Sequence, residues 1–172
     1  MRIAAVVAVL AGCGPEPVVW DHEALVEAFE ALHTPIYDVY AVGTARDALH
    51  DHLAARFTGE ALTDQYVEHW RTLVAMEQDQ TGITVTGVEY EDVVVVDDGR
   101  DGRLRVDASW LVRGIVRHQQ HRHPRINRYR AIYTLAPTPD GLRIVATRMK
   151  DLERVATQVA SDALFDEAEG SG

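Results

Sequence analysis

The chain reads as an α+β domain in which N-terminal helices pack on a curved, four-stranded antiparallel sheet. Three observations predict this. Between Trp20 and Gln78 apolar residues recur at three- and four-residue spacing, the period of a helix with one buried face. From Gly82 onward the spacing falls to two, the period of a strand with one buried face. Within that second half, Arg103 to Ala136 carries two long alternating runs on either side of the polar stretch His118-Gln-Gln-His-Arg-His123, the pattern of a long β-hairpin. A run of helices followed by a run of strands is the order of an α+β fold.

The helical half begins with Asp21 as an N-cap, followed by Ala24, Leu25, Ala28, Phe29 and Leu32 along one face. Thr34-Pro35 should break this helix, because the proline ring removes a donor and crowds the preceding turn. Ile36, Tyr37, Tyr40 and Ala41 continue the apolar face toward Gly43, and Thr44 caps a short helix through Ala45, Ala48, Leu49 and Leu53. Thr58-Gly59 opens a longer helix with Leu62, Tyr66, Trp70, Leu73 and Val74 as its buried stripe. Aromatic residues on inner helix faces pack more often than they bind, so Tyr37, Tyr40, Tyr66 and Trp70 are assigned to the core. His69 is assigned to the rim, and His22, His33, His50 and His52 to solvent.

In the sheet half, Gly82 to Val96 forms the first strand. Its alternation slips near Gly87-Val88 and again at Asp92-Val93, which predicts bulges. Asp97 to Gly102 is a strong turn signal leading into the hairpin. There the even positions Leu104, Val106, Ala108, Trp110, Val112 and Val116 are apolar, and across the turn Tyr129, Ala131, Tyr133 and Leu135 continue that face. Toward the tip the same face becomes polar through Asn127, Arg125, His123 and His121. Pro137 to Gly141 makes a second turn, and Leu142, Ile144 and Ala146 begin the last strand. Asp151 to Phe165 is expected to form a short helix, and the acidic, glycine-rich end to be disordered.

With 172 residues, 47% of them hydrophobic and 26% charged, the chain has room for one core plus extensions. A formal charge of -10 argues against nucleic acid, whose binding relies on cations that neutralise phosphates. About half of the Lys and Arg nevertheless lie between Arg100 and Arg130, so the hairpin is a basic island in an acidic protein.

The N-terminus follows the order of an export signal. Arg2 precedes an apolar run from Ile3 to Ala11 that is too short to span a bilayer, and small residues follow. Leu10-Ala11-Gly12-Cys13 resembles the lipobox of bacterial lipoproteins. That resemblance implies removal of residues 1–12 and lipidation of Cys13, and with Gly14 in the next position it implies outer-membrane sorting in two-membrane bacteria. Cys13 is the only cysteine, so no internal disulfide is open to it. Acyl chains contribute about 0.8 kcal/mol per buried methylene, and more than one gives a stable anchor. Residues 13–19, with two prolines, would form an extended tether to a folded domain over residues 20–155, and residues 156–172 a tail. The expected address is therefore extracytoplasmic, on the periplasmic face of a bacterial membrane.

The order of three helices and a long bent hairpin is similar to the NTF2-like superfamily, in which helices close a cone over a curved sheet. The segments Ile36-Tyr-Asp-Val-Tyr40, Phe57-Thr-Gly-Glu-Ala-Leu62 and His118 through Ala131 resemble an uncharacterised family of bacterial membrane-associated domains. That resemblance implies no catalytic residue.

Three chemistries suit the polar end of the hairpin. Arg117, Arg122, Arg125, Arg128 and Arg130 supply forked donors for a carboxylate or phosphate. Strand alternation puts Arg125 and Asn127 with Tyr129 on one face, and Arg128 and Arg130 on the other. The expected binding residues are accordingly Arg125, Asn127 and Tyr129, with an acidic small molecule or envelope component as ligand. The alternative is a metal site made by His121 and His123, ~6–7 Å apart along one strand face, with His118 from across the turn. Three neighbouring arginines and the lack of a nearby Asp, Glu or Cys weigh against it. A cavity acid or base drawn from Asp107, His123 and Tyr129 comes third, because no nucleophile–base–orienter set is apparent. No Gly-rich phosphate loop or G-x-S-x-G elbow occurs, so no cofactor is expected. The function expected is binding or scaffolding without catalysis.

Overall fold

The computed structural model describes residues 21–40, 48–97, 102–118 and 121–155. The signal segment, Cys13 and its tether, the Thr44 cap and the tail from residue 156 lie outside these residues. Helix α1 (His22–His33) starts at Asp21, whose carboxylate accepts from the Glu23 amide at 3.2 Å. It ends where expected, and Thr34–Tyr40 continues as a 3-10 helix carrying buried Ile36 and Val39. A short α2 (Leu49–Ala54) and a long α3 (Gly59–Gln78) follow. The sheet comprises β1 (Thr81–Asp97), β2 (Leu104–His118), β3 (His121–Thr138) and β4 (Gly141–Val155), antiparallel throughout in the order β1-β2-β3-β4. This is an α+β fold with helices against one face of a four-stranded antiparallel sheet.

The core lies between that face and the helices. It joins Leu25, Phe29, Ile36, Val39, Leu49, Leu53 and Phe57 to Leu104, Val106, Ala108, Trp110, Ala131, Tyr133, Leu135 and Ile144. The register explains why β1 alternates imperfectly. Ile83 and Val85 lie on the core side; shifts between Val85 and Gly87 and between Tyr90 and Asp92 then move the inward set to Val88 and Tyr90, and to Val93 and Val95. Each extra residue reverses parity, so each bulge returns an apolar side chain to the core and bends the strand. The first bulge sits opposite Gly114, where an added Cβ would stand 2.9 Å from the Thr84 carbonyl oxygen. Only a residue without a side chain allows the two strands to approach so closely there.

Three expectations are corrected. Residues 151–155 continue β4 and do not open a helix, because they pair with Ile126 to Arg130 of β3. Trp70 is 36% exposed and so lies at the edge of the buried stripe of α3. His33 and His69 are buried, not solvated or at the rim.

Candidate functional site

The hairpin register brings the expected binding residues onto one face. Asn127 lies opposite Val112, Tyr129 opposite Trp110 and Arg125 opposite Gly114, all on the side that carries the core. Arg125 Nε donates to Asn127 Oδ1 at 3.2 Å, and Asn127 Nδ2 donates to the Tyr129 hydroxyl at 3.0 Å. Tyr129 stacks on Trp110 with ring centroids 5.5 Å apart and planes 13° apart. Trp110 Nε1 donates in turn to the Tyr37 hydroxyl at 2.7 Å. A line of contacts thus runs from a buried indole to an exposed guanidinium. Arg125 uses one donor within this line, and among the described residues no carboxylate pairs with it.

The other arginines of the hairpin differ in kind. On the opposite face Arg128 is clamped by Glu91 at 3.0 Å and by Glu153 at 3.2 Å, and Arg113 is held by Glu89 at 2.7 Å. Arg130 and Lys150 both engage Asp107, Arg130 at 3.2 Å. Burial alone would raise the Asp107 pKa, but the bonds from Lys150 and Arg130 outweigh it and hold the carboxyl below the ordinary range. Asp107 therefore stands across the sheet from His123 and Tyr129, and these three candidates for acid–base work do not converge.

At the tip His118 lies opposite His121, and the His118 and His123 rings stack 5.2 Å apart with planes 11° apart. Imidazole binds a metal through an in-plane lone pair. Parallel stacked rings send those lone pairs along parallel planes and not toward a shared point. Among the described residues no group of three or more His, Cys, Asp or Glu could hold a metal ion.

A second constellation escaped sequence reasoning. His33, at the end of α1, bonds Tyr90 of β1 through Nδ1 and Tyr133 of β3 through Nε2, each at 2.8 Å. Phe29 stacks on it at 5.2 Å, and Trp110 meets it edge-on at 4.6 Å. Burial drives the His33 pKa down to about 3, so the ring is neutral at physiological pH. One nitrogen then donates and the other accepts. Burial also pushes the Tyr90 phenol up to about 12 and that of Tyr133 well above its ordinary value. Tyr40 bonds His69 Nδ1 at 2.7 Å, and burial, with a smaller effect of His52, lowers His69 to about 4. Near neutral pH both imidazoles are therefore neutral and the Tyr90 and Tyr133 phenols protonated. One signal was present in the sequence: Leu25, Phe29 and His33 are spaced by four, so His33 lies on the buried stripe of α1.

No family model matches the chain, and no curated protein matches it. Among solved structures it is similar to the intermembrane space region of the chloroplast protein ARC6, at 13% identity and a TM-score of 0.52. The match covers 76% of this chain and 97% of that one. At this identity the likeness bears on the fold alone. Among the described residues no helix is long and apolar enough to cross a membrane.

Proposed function

We propose that this chain is an extracytoplasmic, NTF2-like domain, anchored by a lipid on Cys13, that binds an anionic envelope component or small molecule without catalysis. The observation that carries the binding reading is the bond from Arg125 through Asn127 to Tyr129. It orients a guanidinium in advance while leaving its terminal amino groups for a ligand. A carboxylate or phosphate fits that fork. The tyrosine beneath is braced by a buried tryptophan, so the arginine rests on a rigid element of the fold.

Support for a non-catalytic role comes from the two buried histidines, whose ring nitrogens are taken up by core tyrosines: His33 by Tyr90 and Tyr133, and His69 Nδ1 by Tyr40. The anchoring reading rests on Leu10-Ala11-Gly12-Cys13, and the NTF2-like reading on helices covering one face of a bent sheet. A zinc or copper role for His118, His121 and His123 has less support, because two of the rings stack in parallel.

The test is retention of the Cys13→Ser chain, which carries no acyl anchor, on vesicles with anionic lipid, on neutral vesicles, and on anionic vesicles with added inorganic phosphate as competitor. Retention on anionic vesicles alone, lost in Arg125→Ala/Asn127→Ala, is the expected result. Equal retention of the double variant would remove the binding reading. Recovery of a Cys13→Ser chain in the membrane fraction at the wild-type level would remove the anchor.

A further inference from the structure

Among the described residues, backbone bonds close the outer edge of β4 at only one point. Ile144 donates to the Arg56 carbonyl at 2.8 Å and accepts from the Thr58 amide at 3.0 Å, so the loop before α3 covers the strand there. Beyond Ile144 no backbone bond to a loop or another strand reaches this edge among the described residues, and the Leu152 amide is held only by the carboxylate of its neighbour Asp151, at 2.9 Å. That stretch also carries Met149 and Leu152, which are 50% and 58% exposed. An open strand edge beside exposed apolar side chains is a template for another strand.

The order of residues identifies the strand it fits. Arg148-Met149-Lys150-Asp151-Leu152-Glu153 run antiparallel to themselves about a point between Lys150 and Asp151 set Arg148 against Glu153, Met149 against Leu152 and Lys150 against Asp151. Every cation meets an acid, and the apolar residues meet each other. In a regular strand this register fails, since residues three apart lie on opposite faces and antiparallel partners must share one. Here it holds, because β4 shifts register at this point: Met149 pairs with Ala131 and Asp151 with Arg130, leaving Lys150 as the extra residue. The bulge reverses parity at the centre. Met149 and Leu152 then share the core-side face, while Arg148 and Glu153 share the other, with Lys150 and Asp151 beside them. Arg148 has no ion-pair partner among the described residues, whereas Glu153 is held by Arg128 and Lys150 by Asp107.

We propose that β4 pairs with β4 of a second copy of this chain about a twofold axis between Lys150 and Asp151, joining two four-stranded sheets into one of eight. The ladder spans residues 147–154, starting just past the segment that the Arg56–Thr58 loop covers. The interface is isologous: each Arg148 meets the partner's Glu153, and the reverse. It is independent of the anion site on β3.

The experiment is sedimentation equilibrium of the full chain across the micromolar range, kept in non-denaturing detergent, with circular dichroism to verify folding. Wild type should self-associate to twice the monomer mass. Arg148→Glu, which puts acid against acid at both symmetric positions, should weaken association about tenfold or more. Arg148→Glu/Glu153→Lys restores opposite charges and should return most of the loss, an outcome that a merely local role for Arg148 would not give. Should the single variant not fold, Met149→Lys takes its place with the same expected loss. A wild-type monomer at all concentrations overturns the proposal and leaves the edge to a different partner, as does a double variant no tighter than the single one.

Discussion

His33 Nε2 and the Tyr133 hydroxyl meet at 2.8 Å across 100 residues of chain, tying the end of α1 to the centre of the sheet. The bond is buried on both sides, so removing one partner orphans the other. His33→Phe keeps an aromatic ring in place but leaves the Tyr133 and Tyr90 hydroxyls without the imidazole, although Tyr90 retains Thr34 at 3.0 Å. The expected loss is ~1–3 kcal/mol per orphaned buried group, measured by urea unfolding. No loss would show that the imidazole is only a filler.

The same histidine gives stability a pH dependence. The unfolded ring titrates near its ordinary value of 6.5 and the folded ring at about 3, so between these values the unfolded state binds more protons. Stability due to this group is therefore complete above pH 6.5 and declines as the pH falls toward 3. His69, lowered to about 4, acts with the same sign. Melting midpoints should drop steadily from pH 6.5 to 4, and in His33→Phe the drop should be shallower.

Gly114→Ala introduces a Cβ 2.9 Å from the Thr84 carbonyl oxygen, a backbone atom that cannot swing aside. The strands must part at the bulge. The expected cost is ~1–3 kcal/mol, in the range of overpacking a core, read from the shift of the urea midpoint. The expected effect at Gly87 is smaller, since an added Cβ there meets nothing within 4 Å.

Zinc should leave the melting midpoint unchanged, because a ligand raises it only by binding the native state in preference to the unfolded one, and the tip offers two stacked imidazoles. A rise with zinc that disappears in His118→Ala would restore the metal reading.

Much of this arrangement follows from the order of residues. A period of two in β2 and β3 dictates which side chains point inward, so Trp110, Tyr129 and Tyr133 share a face with Arg125 and Asn127 before any contact is known. The broken alternation of β1 marks its bulges for the same reason. Tertiary contact decided which partners the polar residues found. The spacing of α1 puts His33 on its buried stripe, but the Tyr90 and Tyr133 hydroxyls that satisfy it arrive from 57 and 100 residues away and leave no local sign. Likewise Arg128 is neutralised by Glu91 of β1 and Glu153 of β4, while Arg125 on the same strand meets no acid among the described residues. Apolar burial follows from local periodicity, whereas charge pairing depends on which strands become neighbours.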